Sequence, residues 1–179
     1  MDAAILTAAE QHLRERGYPG MSIEAVAAAA GTTTPSLRRR YRSKTDLAAA
    51  VIDSLRIKPI PGATGDSRAD ALSVLENFRA NLLRPSGMAT LGIILAEERR
   101  NPSLLEHFRH RLVKPRRDSL RHALTAGIEQ GSLSADLDLD AAVSLLVGSF
   151  YARYLSTGSI PRDWAERILH IIWPPEAPG

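Results

Sequence analysis

The chain has 179 residues, 44% of them hydrophobic, no cysteine and a net charge of +3. That is enough apolar material for a packed core, and it excludes wholesale disorder, disulfides and thiolate metal sites. No apolar run reaches the ~18–20 residues of a membrane span, and the N-terminus lacks the basic start, apolar stretch and small-residue cleavage site of a secretory signal. No membrane partner is expected, and the missing cysteines fit a reducing cytoplasm. The charge is uneven. Nine Lys/Arg face six Asp/Glu up to residue 58, and fourteen of each follow. The surplus lies in the first third of the chain, which suits a polyanion such as DNA. An excess of three charges is also small enough to arise by chance.

Nearly the whole chain reads as helix, because Ala and Leu abound and apolar residues recur at three- and four-residue spacing. A first helix is expected over 2–16, with Ile5, Ala9 and Leu13 in line and Gly17 as its stop. Ser22 caps a short helix over 23–30, ended by Gly31. Thr34 is the expected cap of the next, with Pro35 as its first residue, running to about Tyr41. Ser43 opens a fourth, with Asp46 in capping-box position. Leu47, Val51 and Leu55 form its buried line.

Residues 59–67, PIPGATGDS, are rich in Pro and Gly and mark a domain boundary. Longer helices are expected beyond it. They cover 68–83 (Leu72, Leu75, Phe78, Leu82), 87–100 (Leu91, Ile94, Leu95) and 102–131, the last kinked at Pro115. Two more cover 138–156 and 161–173. The fold class is all-α. An N-terminal helix-turn-helix domain occupies 1–58, with its motif at about 22–41, and a helical domain occupies 66–179.

Two short helices joined at a glycine and braced by a longer helix on each side describe a helix-turn-helix module. In GTTTPSLRRRYRSK, Leu37 and Tyr41 are four apart and face inward. Thr33, Thr34, Ser36, Arg39 and Arg40 then face outward. Hydroxyls can bond bases or phosphates, and an arginine can grip a guanine with two bonds.

From Ile5 to Ile52 the sequence resembles the DNA-binding domain of TetR-type transcriptional regulators. Ala8, Ala9, Gly17, Tyr18, Ser22, Val26, Ala27, Ala30, Gly31, Leu37, Tyr41, Ser43, Lys44 and Leu47 fall in register with that family's pattern. The resemblance implies contacts to double-stranded DNA from Ser22, Thr33, Thr34, Pro35, Ser36, Arg38, Arg39, Arg40 and Lys44. Arg38 stands where the family usually has a phosphate-binding tyrosine, Arg40 where it often has histidine or tyrosine, and Tyr41 where phenylalanine is usual. Successive helical residues point 100° apart, so the three arginines cannot share a task. Arg39 is the expected base reader, Arg38 replaces the phosphate-binding tyrosine, and Arg40 returns to the DNA backbone. The chain starts at Met1-Asp2, so no basic arm in the minor groove is expected.

The second part resembles, more loosely, a TetR-type domain for ligand binding and dimerisation. This implies a helical bundle, a homodimer formed through the last two helices and a cavity for an unidentified small-molecule effector. The apolar wealth of those two helices agrees with a dimer. Val143, Leu146, Val147, Phe150, Tyr151, Tyr154, Trp164 and Ile168 are its expected interface, with ordinary core packing as the alternative for each. Asn81, Arg116 and Arg153 border apolar lines and could meet polar groups of an effector, although such residues more often pair with a neighbouring acid or with the partner subunit. His107 and His110 lie three apart, but no third ligand stands at metal-site spacing and arginines flank them. No nucleophile elbow, P-loop or dinucleotide fingerprint is present. Neither metal, cofactor nor enzymatic activity is expected. The expected function is a ligand-responsive regulator, more often a repressor, binding a palindrome as a homodimer beside the bacterial nucleoid. The alternative is a ligand-binding or scaffold protein of the same fold, with DNA binding lost or non-specific.

Overall fold

The computed structural model describes residues 2–55 and 57–173. All regular structure among them is helical. The elements are α1 (Asp2–Gly20), α2 (Ile23–Ala29), α3 (Thr34–Arg40), α4 (Lys44–Ser54), α5 (Ser67–Leu82), α6 (Gly87–Ala96), α7 (Pro102–Phe108), α8 (Lys114–Glu129), α9 (Leu139–Thr157) and α10 (Trp164–Ile172). A π-helical turn, Arg109–Val113, joins α7 to α8.

Packing divides the chain into two compact units, Met1–Ile57 with Leu83–Val113, and Lys58–Leu82 with Lys114–Gly179. In the first unit, α1 packs on α2, α4 and α6, and α4 packs on α7. Its core joins Ile5, Ala9, Val26, Leu37, Leu47 and Val51 to Ile94, Leu104, Leu105 and Leu112. The Asp53 carboxylate of α4 ties down α7 and the π turn, accepting from His107 Nε2 at 3.0 Å and forming an ion pair with Arg111 Nε at 3.3 Å. One border of the packing units thus lies at Ile57/Lys58, just before residues 59–67, while Leu83–Val113 joins the first unit, whose core its apolar residues complete.

In the second unit α5 packs along α8, and α9 and α10 close the bundle. Leu75, Phe78, Leu120, Leu124, Leu146, Phe150 and Leu169 are buried there. Phe150 is the hub of an aromatic cluster, edge-on to Phe78 at 5.2 Å and to Trp164 at 5.5 Å. Edge-to-face contacts of this kind add to the apolar burial of the rings.

Three expectations about elements are corrected. The helix starting at Gly87 ends at Ala96 rather than Arg100, and Leu95 on it is 50% exposed rather than buried. The helix expected across 102–131 is divided by the π turn just before Pro115. Proline has no N–H for the carbonyl four residues back and crowds it, and a wider turn relieves that clash. The cap of α3 is Thr33, not Thr34.

Candidate nucleic-acid interface

Local chemistry fixes the α2–turn–α3 unit. The Ser22 hydroxyl oxygen accepts from the backbone N–H of Ala25 at 3.1 Å and caps α2. At the other end, Gly31 N–H bonds Ala28 O and Thr32 N–H bonds Ala27 O, at 3.2 and 2.9 Å. This pairing is a Schellman stop, which needs a left-handed residue. Gly31 supplies it with φ of 65°. The Thr33 hydroxyl oxygen caps α3 by accepting from Ser36 N–H at 3.3 Å. Leu37 is wholly buried and Tyr41 half-buried, so α3 is held by one face. Replacing Gly31 by valine should cost about 1–2 kcal/mol through left-handed strain alone, since open space surrounds it. Thermal unfolding should show Gly31→Asn costing clearly less, because asparagine tolerates this conformation.

The outward residues then separate by their partners. Thr33, Pro35, Arg38, Arg39 and Arg40 are exposed, and Ser22, Thr34 and Ser36 are half-exposed. Arg38 pairs with Glu24 of α2 at 2.9 Å. Arg40 pairs with Asp2 of α1. Among the described residues the Arg39 side chain makes no hydrogen bond or ion pair. The carboxylate of Glu24 lies below its ordinary pKa, held there first by its own backbone N–H at the helix start and then by Arg38. Lys44 is half-buried. Its ammonium donates to Pro19 O at 3.1 Å and lies 4.4 Å from the centre of the Tyr18 ring. Burial lowers its pKa, and the charge of Glu97 opposes that shift. The Tyr18 hydroxyl pairs with Thr45 Oγ1 at 2.8 Å, so the α1 terminus and the α4 start are tied together.

The expected dimer residues lie differently. Val143, Leu146, Phe150 and Trp164 are enclosed by the second unit itself, none more than 6% exposed. Side chains enclosed by their own chain offer no surface to a partner, which corrects the expectation for these four. Val147, Tyr151, Tyr154 and Ile168 are half-buried, and both tyrosine rings pack on Phe150. Burial raises the Tyr151 pKa, and the charge of Arg116 opposes the rise. The opposite side of α9 is the open one. Ala141, Leu145, Gly148, Ala152 and Leu155 are all exposed there, at helical spacing. Leu145 is 46% exposed and Leu155 81%, while Ile171 of α10 is 67% exposed. Sequence reasoning passed over this stripe because alanine and glycine carry little hydrophobic signal.

The three expected effector residues have different surroundings. Asn81 is buried and committed to the segment before α5. Its Oδ1 accepts from Lys58 N–H at 2.8 Å, and its amide donates to Lys58 O and Asn77 O at 3.2 and 2.9 Å. Arg116 is half-buried beside Tyr151. Arg153 is exposed on α9. A cleft of about 340 Å³ opens elsewhere in this unit, between α5 and α8 and beneath Pro61–Gly65, and none of the three lines it. Val74, Ala123 and Ala126 supply apolar wall, and Ser67, Asp70, His122 and Gln130 its polar groups. The segment over it is fastened by Asp70, which accepts from Thr64 N–H and Thr64 Oγ1 at 2.9 and 2.7 Å. These bonds hold the Asp70 carboxyl below its usual pKa. Among the described residues no group of three or more His, Asp or Glu could hold a metal ion, and no helix is long and apolar enough to cross a membrane.

Known proteins share both parts of this arrangement. Residues 61–172 match the family described as "Tetracyclin repressor-like, C-terminal domain". The chain is 31% identical over 137 residues to an uncharacterized HTH-type transcriptional regulator of Mycobacterium tuberculosis, covering 76% of this chain and 67% of that one. It is 28% identical over 165 residues to the uncharacterized HTH-type regulator YdeS of Bacillus subtilis, covering 89% and 81%. Among solved structures it is similar to MexZ of Pseudomonas aeruginosa, described as a key repressor responsible for antibiotic resistance, with TM-score 0.77, 23% identity and coverage of 95% and 91%. It is also similar to the flavonoid-responsive regulator FrrA, with TM-score 0.73, 22% identity and coverage of 98% and 97%. Residues 5–51, which hold the braced α2–turn–α3 unit, match "Bacterial regulatory proteins, tetR family", and the chain belongs to the TetR family of bacterial transcriptional regulators.

Proposed function

We propose that the protein is a ligand-responsive repressor that binds a near-palindromic operator as a homodimer. The observation that carries the reading is Arg39, exposed and uncommitted on a short helix that is capped, buried on its other face and ringed by hydroxyls. Arg39 reads a base, and Arg38 and Arg40 take phosphates. Ser22 and Thr33 use an oxygen lone pair as helix caps and keep their hydroxyl protons for phosphate oxygens. Thr34, Pro35 and Ser36 form the leading edge of α3. Lys44, committed to Pro19 O, positions α1 against α4 as well as adding charge. Two copies joined through the open side of α9 would set their recognition helices roughly 34–36 Å apart, one turn of duplex. The effector site is the cleft between α5 and α8, of a size that suits a small molecule. The protein acts in the cytoplasm, at the nucleoid, without a cofactor and without enzymatic activity.

Selection from a random duplex library tests the whole reading. Enrichment of a near-palindrome supports it. Binding that is sequence-blind and only salt-sensitive sinks it, and leaves a ligand-binding or scaffold protein of the same fold. On a selected operator, Arg39→Ala should cost about 1–3 kcal/mol and relax the choice of base at one position per half-site. Unchanged affinity and unchanged base preference would remove Arg39 from the reading head.

A further inference from the structure

Two of the three arginines on α3 are already paired with acids of the same chain, one of them through a fully solvated contact. We infer that Glu24 is an intramolecular stand-in for a DNA phosphate at Arg38, and so acts as a brake on sequence-independent binding. The inference rests on the DNA-binding reading above and adds a residue to it that no DNA contact would reveal.

Glu24 sits in the first turn of α2, where the free N–H groups of the helix favour a negative charge. Its Oε1 accepts from the Arg38 guanidinium at 2.9 Å, the length of a charge-assisted hydrogen bond. That geometry is also what a phosphate oxygen would offer to Arg38. Both side chains are 60% exposed, so water and a competing anion reach the pair freely. Solvated pairs of this kind are weak and exchangeable. Glu24 therefore does not lock Arg38 away. It makes any phosphate that approaches Arg38 either replace a carboxylate or lie beside it.

Arg40 and Asp2 differ. The Arg40 side chain is only 29% exposed, so this pair is the less exchangeable of the two. Arg39 has no such partner, and its approach to DNA meets no internal competitor. The chain thus discounts the two arginines suited to phosphate while leaving the arginine suited to bases at full strength. A phosphate contact made by an already neutralised arginine also releases less counterion, and that release drives non-specific binding.

The test is a double-mutant cycle on the full chain, using a random-sequence duplex and a selected operator, with affinity measured across a salt series. Glu24→Gln should tighten binding to both duplexes by about two- to fivefold, as expected for freeing one solvated pair. It should steepen the salt slope by about 0.9, and the preferred bases should stay the same. In an Arg38→Ala background, Glu24→Gln should do neither. No tightening in Glu24→Gln overturns the inference. An equal tightening in both backgrounds overturns it too, because Glu24 would then act as bulk charge and not through Arg38. A wild-type chain that binds no duplex at all is a different result, and removes the DNA reading and this inference with it. Unfolding midpoints of the four proteins separate a loss of fold from a change in binding.

Discussion

Gly127→Ala should destabilise the protein by about 1–3 kcal/mol, although alanine is the better helix former. Gly127 lies inside α8 and is buried. A Cβ built there would meet the Trp173 ring at 2.4 and 2.7 Å and Leu133 Cδ1 at 3.0 Å. The indole is a rigid plane and is 3% exposed, so it cannot yield by a small rotation. Overpacking of this kind costs about 1–3 kcal/mol, and displacing a buried aromatic costs more. The helix gain from Gly to Ala is at most about 1 kcal/mol and does not reverse the sign. Gly92 in α6 is the control. It is exposed, and a Cβ there meets nothing within 4 Å. Alanine at Gly92 should stabilise by up to about 1 kcal/mol. Urea unfolding of the two variants should give opposite signs, and Gly127→Ala should also shift tryptophan emission towards the red. A stabilised Gly127→Ala would mean that Trp173 does not pack on α8.

The same contrast explains how far the sequence could be read. Helix limits were legible where a side chain does local work. Ser22 and Ser43 both cap their helices, and Gly31 takes the left-handed conformation expected of a stop. Three consecutive threonines defeated the same logic by one residue, since any of them can cap and only the chain path selects Thr33. Leu37 and Tyr41 were legible as the inward face of α3 because their spacing is local. The partners of Arg38 and Arg40 were not, because Glu24 is fourteen residues away and Asp2 lies on another helix. The segment 59–67 announced itself by Pro and Gly, yet its fastening by Asn77 and Asp70 left no periodic trace. Leu83–Val113 looked like part of the second domain because it follows the boundary. Its apolar residues nevertheless complete the first core. In α9, residues of low polarity occur all round the helix, so periodicity does not say which side is inside. Phe78 and Trp164 decide it by packing on Phe150.

That decision makes the dimer prediction specific. Leu145→Asp combined with Leu155→Asp should yield a folded monomer with weak operator binding. Both leucines are exposed, so the charges fall on solvent and should cost the single chain little. In a dimer they would lie buried with no opposite charge, a penalty large enough to prevent association. Gly148 adds a steric counterpart. It sits between the two leucines with open space around it, so a partner backbone could approach there and a Gly148→Leu side chain would hold it off. Losing the second half-site removes the gain from tethering two readers, and operator affinity should fall by about 10²–10⁴. Phe150→Asp provides the opposite pattern. Phe150 is fully buried at the centre of the aromatic cluster, and a carboxylate there should unfold the second unit whether or not a dimer forms. Sedimentation and unfolding curves distinguish the two, since the leucine variants should lose mass and keep their midpoint, while Phe150→Asp should lose its midpoint. A double leucine variant that stays dimeric would place the interface elsewhere on the chain. The expected spacing of the half-sites would then have to be rebuilt from that other face.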